Sequence, residues 1–378
     1  MRRFLLAVSL LLAVAPAQAA IDSSAEHAIL MDAATGQVLW QKHGMVPMPP
    51  ASMSKLMTLD LLFQRLADGR IKLTDTLPVS ERAWRTQGSK MFVELGARIP
   101  VESLIRGIII QSGNDACVVV AEGLGGTFEG FVELMNKRAK ELGLAQSTFV
   151  NPDGLPDPPG QLMSALDLAK LSRHIIQTYP QYYHYFSERE FVWHNIRQPN
   201  RDLVLGMLQG ADGLKTGHTD AAGYGITVSA KRDKTRFILV LNGLRYPQYK
   251  NDYFPNIRRA EEAVRVMEMA FREFRTYPIL SSNQVIGTAP VLQGAADNVK
   301  VTAAKPLAVT MQVDSRKGLK TALKVDPGLT APVAQGQRIG TYTISAPDFP
   351  AMTVPVYAAE PVAQIGFIAG LWRKMFGK

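Results

Sequence analysis

The chain has 378 residues, 47% of them apolar and 20% charged, with a formal net charge of +9. That length allows two domains and a tail, and that composition supplies an ordinary core, with no internal repeat and no low-complexity stretch. The single cysteine, Cys117, excludes an intramolecular disulfide.

Residues 1–19 carry the three parts of a secretory signal. These are Arg2-Arg3, an apolar run from Phe4 to Ala15, and Ala17-Gln18-Ala19 ahead of the cut. The run is too short for a comfortable membrane span. The expectation is an exported protein whose charge falls to about +7 when the two arginines leave. Anionic lipid and the acidic polymers of a cell envelope then suit its charge better than nucleic acid does. Cys117 lies in an apolar run and reads as a small core residue. The six histidines are scattered, with no His-Glu-x-x-His pair, so no zinc site and no other cofactor is expected.

His27–Asp32 and Gln37–Trp40 flank the turn Ala33-Ala34-Thr35-Gly36 and predict a hairpin. After Pro47-Met48-Pro49-Pro50 comes a helix with Leu56, Leu59, Leu62, Phe63 and Leu66 at helical spacing, ended by Gly69. Ser52 and Lys55 stand at its start, one turn apart, so their side chains share a face. A serine there sits at the positive end of the helix dipole, and a lysine held neutral can take its proton. Alone, Ser-x-x-Lys is equally an ordinary helix start with a solvated lysine.

A helix from Ser103, a tight turn at Gln111-Ser112-Gly113-Asn114 and a second helix to Gly123 follow. Ser112 and Asn114 project a hydroxyl and an amide, or simply cap a helix. Helices are expected over 128–143 and 165–179, with an irregular loop from Phe149 to Leu162 between them. Arg201 sits in a polar stretch. Lys215-Thr216-Gly217-His218 then offers a cation, a hydroxyl and room for a ligand backbone, or an unremarked polar edge strand. Strands over 223–230 and 236–241 join at a charged turn. A helix over 257–274 breaks at Tyr277-Pro278, the expected boundary to a small all-β domain that reaches Tyr357. From Val362 to Lys378 an amphipathic helix is expected. Ile365, Ile368, Trp372 and Phe376 lie on one face and the cations near its end, the pattern of a helix lying in a membrane interface.

Ser52-x-x-Lys55, Ser112-Gly113-Asn114 and Lys215-Thr216-Gly217 occur in this order, about 60 and about 100 residues apart. With Asn151-Pro152-Asp153-Gly154-Leu155 and the run Asp212–Tyr224, they make the chain resemble the low-molecular-mass penicillin-binding proteins. More narrowly it resembles the serine-type D-alanyl-D-alanine carboxypeptidases. The resemblance implies an α/β (α+β) catalytic domain around a central antiparallel sheet, a small all-β C-terminal domain and an amphipathic tail helix. The divisions it implies are 1–19, 20–276, 277–357 and 358–378. It also implies roles. Ser52 attacks the carbonyl between two D-alanines and Lys55 takes its proton. Ser112 and Asn114 relay protons and hold the substrate amide. Lys215 supplies positive potential, Thr216 and Arg201 meet the substrate carboxylate, and the N–H groups of Ser52 and His218 form the oxyanion hole, beside Gly217. Peptidoglycan stem peptides and β-lactams are the implied partners, at the periplasmic face of the inner membrane. The chain departs from the family in the loop 153–160, where an acid and prolines stand where relatives often carry His-Gly-Leu. A D,D-endopeptidase, a β-lactamase and a non-catalytic peptidoglycan-binding scaffold are the alternatives. The chain lacks the Glu-x-x-x-Asn between Asn114 and Lys215 that a class A β-lactamase needs, and a scaffold has no need of Ser52, Lys55, Ser112 and Lys215 together.

Overall fold

The computed structural model of the protein describes residues 21–347 and 349–366. The chain opens with the expected hairpin, β1 (His27–Asp32) and β2 (Val38–Lys42). A 3-10 turn, Ala51–Ser54, leads into α1 (Lys55–Ala67). Then come β3 (Thr76–Pro78), α2 (Glu81–Arg85), β4 (Arg98–Pro100), α3 (Val101–Ile109), α4 (Asn114–Gly125) and α5 (Phe128–Glu141). Next are α6 (Ala165–Thr178), α7 (Pro180–Tyr183), the hairpin of β5 (Glu190–Trp193) and β6 (Ile196–Pro199), and α8 (Val204–Met207). Three long strands follow: β7 (Ala211–Thr219), β8 (Gly223–Arg232) and β9 (Thr235–Leu244).

The central sheet has the order β2-β1-β9-β8-β7 and is antiparallel throughout. Successive side chains of a strand face opposite ways. Ile29, Met31, Ile238 and Val240 therefore join the helices α1 and α3–α6 on one face. Ala28, Leu30, Leu239 and Leu241 join α9 (Tyr253–Glu273) on the other. β7 ends the sheet, so one of its edges is free to border a cleft.

The last helix differs from expectation at both ends. It begins at Tyr253 and stops at Glu273, where β10 (Phe274–Leu280) takes over. Tyr277 and Pro278 do not break a helix; they pair in β10 with Val309 and Ala308 of β13 (Leu307–Gln312). β11 (Val285–Pro290), β12 (Asn298–Thr302), β14 (Lys320–Val325), β15 (Arg338–Ala346) and β16 (Phe349–Ala358) form a five-stranded sheet over a separate apolar core. The tail also departs from the reading. Val362 and Gln364 are bridged to Val333 and Gly294, and Val362 is buried in that core, so no helix starts at 358 or at 362. The rest of the expected helix, 367–378, and the signal, 1–19, lie outside the described residues. Among the described residues no helix is long and apolar enough to cross a membrane.

α1 runs through the middle of the first core, and its polar residues Lys55, Thr58 and Asp60 are buried with its apolar ones. Asp60 is fully buried, 2.8 Å from Arg138 of α5 and 3.3 Å from His174 of α6. Burial raises the pKa of its carboxyl, and Arg138 opposes that. Removing one partner of a buried pair strands the other charge. Arg138→Leu is therefore expected to destabilise the protein by about 3–5 kcal/mol in denaturant unfolding. A loss under 1 kcal/mol, typical of exposed pairs, would show that the pair is not a strut.

Candidate active site

The 3-10 turn places Ser52 ahead of α1, and Lys55 one turn later points back at it. Lys55 Nζ lies 2.7 Å from Ser52 Oγ, 2.7 Å from Asn114 Oδ1 and 2.6 Å from the Asp153 carbonyl. The amine is fully buried. Burial is the largest influence lowering its pKa, and Arg201 lowers it further, while Cys117 and Asp153 act the other way. In its neutral form the amine has two hydrogens and one lone pair; with Asn114 Oδ1 and the Asp153 carbonyl accepting the hydrogens, the lone pair can take the Ser52 proton.

Each partner is fixed by its own local structure. Asn114 opens α4, and its Nδ2 donates to the Gln87 carbonyl at 2.7 Å. Asp153 sits in a turn wound on Asn151, whose Oδ1 accepts from Gly154 N at 2.7 Å and whose Nδ2 donates to the Leu155 carbonyl at 2.8 Å. Gly154 has φ +82°, and a Cβ there would stand 2.0 Å from the Ala51 carbonyl. Only glycine allows the turn to press this closely on the loop that carries Ser52. Ala51 and Ser112 both hold left-handed backbone, at φ +47° and +62°. Such strain in non-glycine residues gathers at functional sites.

Lys215 is also buried. Its Nζ donates to Ser112 Oγ at 2.9 Å and to the Thr216 carbonyl at 3.1 Å. Its pKa is pushed well down, first by burial, then by Lys55 and Arg201. Arg201 spans the cleft mouth, donating to Gln111 Oε1 at 3.0 Å and to Ser89 Oγ at 2.7 Å. The His218 ring stacks on Tyr224, centroids 3.8 Å apart, and Tyr224 donates to Asp252. Gly217 brings β7 against the serine turn. A Cβ on it would lie 3.1 Å from Ser52 N and 3.0 Å from the Pro50 carbonyl.

All nine residues singled out from the sequence thus meet in one place. Ser52, Ser112, Arg201, Thr216, Gly217 and His218 line a cleft of about 600 Å³, and Lys55, Asn114 and Lys215 stand just behind its wall. Sequence reasoning missed three contributors. The Asp153 carbonyl is backbone, so no side-chain pattern marks it. Ser89, with Gln87 and Gly88, comes from an irregular stretch without periodicity. Arg259 of α9 is buried on the cleft floor, Nη1 3.4 Å from the Gly217 carbonyl, with Nε lacking a hydrogen-bond partner among the described residues. Burial lowers its pKa to about 10, so it stays a cation at neutral pH. It escaped notice because, inside a helix, an arginine carries no motif, and only the fold brings that helix under Gly217. Cys117 is buried in α4, and burial pushes its thiol up to about 12.

The sequence profile of the D-alanyl-D-alanine carboxypeptidases, peptidase family S11, matches residues 13–244. That of the penicillin-binding protein 5 C-terminal domain matches residues 274–364. The chain therefore belongs to the S11 D-alanyl-D-alanine carboxypeptidase family, and it carries that second domain. It is 33% identical over 361 residues to the D-alanyl-D-alanine carboxypeptidase DacF of Bacillus subtilis, covering 93% of this chain and 89% of the relative. Escherichia coli DacC is 36% identical over 352 residues, 91% of this chain and 86% of the relative. The crystal structure of penicillin-binding protein 5 from Haemophilus influenzae superposes with a TM-score of 0.83 at 32% identity, over 91% of this chain and 98% of that one.

The Gly217 contact yields a test. In Gly217→Ala the added methyl must push β7 or the serine turn aside by a few tenths of an ångström. Acylation by penicillin is expected to slow by about 10- to 100-fold, since small misplacements of reacting groups are costly. Unchanged acylation with an unchanged melting temperature would mean that the close approach is incidental.

Proposed function

We propose that this protein is a serine D-Ala-D-Ala carboxypeptidase that removes the terminal D-alanine from peptidoglycan stem pentapeptides. The observation that carries the reading is the buried Lys55 amine, 2.7 Å from Ser52 Oγ, with Asn114 Oδ1 and the Asp153 carbonyl as its other partners. Ser52 Oγ attacks the carbonyl between the two D-alanines as its proton passes to Lys55 Nζ. The oxyanion is held by the N–H groups of Ser52 and His218, each such donor worth about 10²–10³ in rate. The tetrahedral intermediate collapses and the C–N bond breaks. Lys55 gives that proton up to the leaving amine, relayed through Ser112, which Lys215 holds, and is neutral again. Water then attacks the acyl-enzyme ester with Lys55 as base, releasing the shortened peptide and restoring Ser52. Asn114 holds the amide on the acyl side, and Thr216 and Arg201 receive the substrate carboxylate. The Arg201 and Arg259 guanidiniums add to the positive potential that Lys215 gives the cleft. β-Lactams acylate the same serine.

The same reading places the protein outside the cytoplasm, on the periplasmic face of the inner membrane, after loss of residues 1–19. The peptidase unit then runs from residue 20 to Glu273, where α9 gives way to β10, and the β-unit follows. Residues 367–378, with Trp372 and three cations, lie on anionic lipid. The full mature chain is expected to float with anionic vesicles, and a chain ending at Gly366 is not. Equal behaviour of the two would refute the anchor.

The chemistry is tested by mass spectrometry and by released D-alanine. Penicillin should add once, to the peptide holding Ser52, and Ser52→Ala should lose both the adduct and D-alanine release. The neutral amine is the active form, so the acylation rate should rise with pH along a limb lying below the ordinary lysine value of 10.5. An adduct that survives Ser52→Ala, or a limb at 10.5, would refute the assignment.

A further inference from the structure

An apolar patch lies beside the cleft and takes no part in the chemistry above. Trp84 is 43% exposed, Phe92 50% and Ile196 42%. With Lys90, Glu94 and His194 they line a surface hollow of about 360 Å³. Exposed apolar clusters edged by polar groups mark binding surfaces.

The fold holds this patch in shape. Phe92 has φ +69°, a strained conformation for a residue with a bulky side chain. It is kept there by the Asp115 carboxylate, which accepts from the backbone N–H groups of Met91, Phe92 and Val93 at 3.0, 2.9 and 3.1 Å. Lys90 donates to the Trp84 carbonyl, and His194 at the tip of the β5–β6 hairpin pairs with Glu94 at 2.9 Å. Three anchors thus keep aromatic surface facing water, where it could have turned inward.

The patch adjoins the cleft through Ser89, which lines the cleft and contacts Asn114. Asp115 follows Asn114, the residue assigned to the substrate's acyl-side amide. Ser89 joins cleft to patch. Its carbonyl accepts from Asn114 N at 2.7 Å, and its hydroxyl accepts from Arg201 at 2.7 Å. Phe92 is three residues on, at most roughly 10 Å of chain away. The acyl part of an extended pentapeptide stem spans roughly 13–14 Å from the scissile bond to the sugar that bears it. A stem lying along the cleft past Asn114 would bring its sugar to this patch. Sugar rings offer C–H faces to aromatics, and hydroxyl and acetamido groups to cations, carboxylates and imidazoles.

We propose that Trp84, Phe92 and Ile196, with Lys90 and the His194–Glu94 pair, form a glycan subsite that seats an N-acetylated sugar of the strand carrying the stem peptide. It rests on the carboxypeptidase reading for its direction along the cleft. The enzyme would then favour pentapeptides still attached to glycan over free ones.

The test uses the full mature chain. Hydrolysis is compared on free pentapeptide and on the same peptide carried by its disaccharide. Binding of peptide-free oligosaccharide of alternating N-acetylglucosamine and N-acetylmuramic acid is measured by calorimetry. Trp84→Ala and Phe92→Gly are the variants. Phe92→Gly suits the positive φ and relieves strain, so it keeps the fold. Each should lower kcat/KM on the disaccharide peptide by about 5- to 10-fold, the worth of one aromatic contact. Each should leave free pentapeptide and penicillin acylation within about twofold, and weaken oligosaccharide binding to match. Equal losses on both substrates, no loss on either, or wild-type protein that ignores the oligosaccharide would overturn the subsite. So would self-association that the variants abolish, which would assign the patch to a second copy of the chain. A wild-type protein that binds oligosaccharide but hydrolyses neither peptide would refute the peptidase reading and leave the subsite standing.

Discussion

The buried amine of Lys55 is the constraint around which the site is built. Its Nζ needs three polar partners, and they come from three separated parts of the chain: residues 52, 114 and 153. A buried amine without those partners would be costly, so the contacts bind the catalytic turn, the start of α4 and the Asn151 loop into one unit. The close fit of Gly154 on Ala51 follows from the same demand, because the loop must approach the serine turn to offer its carbonyl. Strained backbone at Ala51 and Ser112 is tolerated where packing over-determines it.

Burial of two lysines sets the sign of the site's contribution to stability. Both have folded pKa values below the unfolded 10.5. Between those values the unfolded chain binds more protons, so stability rises with pH through that window and is lower at neutral pH than at alkaline pH. The site therefore works against the fold where the enzyme operates, as expected of preorganised catalytic groups. The rest of the molecule offsets this with two apolar cores, one on each face of the central sheet. A substrate carboxylate changes the balance. It enters a cleft where Arg201 and Arg259 already carry charge, and it favours the protonated form of Lys215 over the neutral one.

Much of this was legible in the sequence, for physical reasons. Apolar alternation reported β1, β8 and β9, and helical spacing reported α1. The Ser52–Lys55 pair was legible because the two lie one turn apart, a local relation. What stayed hidden was non-local or carried by backbone. The Asp153 carbonyl has no side-chain signature. The segment 87–93 has no periodicity, and Asp115, an ordinary helix-start acid by sequence, holds it through three backbone N–H groups. Pro278 misled because proline was read as a helix breaker, whereas it lies in a strand of the short two-stranded sheet, β10 with β13. The tail misled because Val362 has the hydropathy of an amphipathic helix and the burial of a β-domain residue. Hydropathy alone does not separate those two fates.

The first turn of α4 faces two ways, and this joins the catalytic centre to the surface beside it. Asn114 turns one amide atom to Lys55 and the other to the Gln87 carbonyl. The next residue, Asp115, grips the backbone of 91–93. Gly88 lies so close that a Cβ would stand 2.7 Å from Asn114 Nδ2. The 87–93 segment is therefore held from two sides, by Asn114 at Gln87 and by Asp115 at 91–93, so a side chain trimmed at its exposed surface leaves the backbone seated. The rigidity that keeps Phe92 exposed is thus the same rigidity that holds Asn114 in register with Ser52.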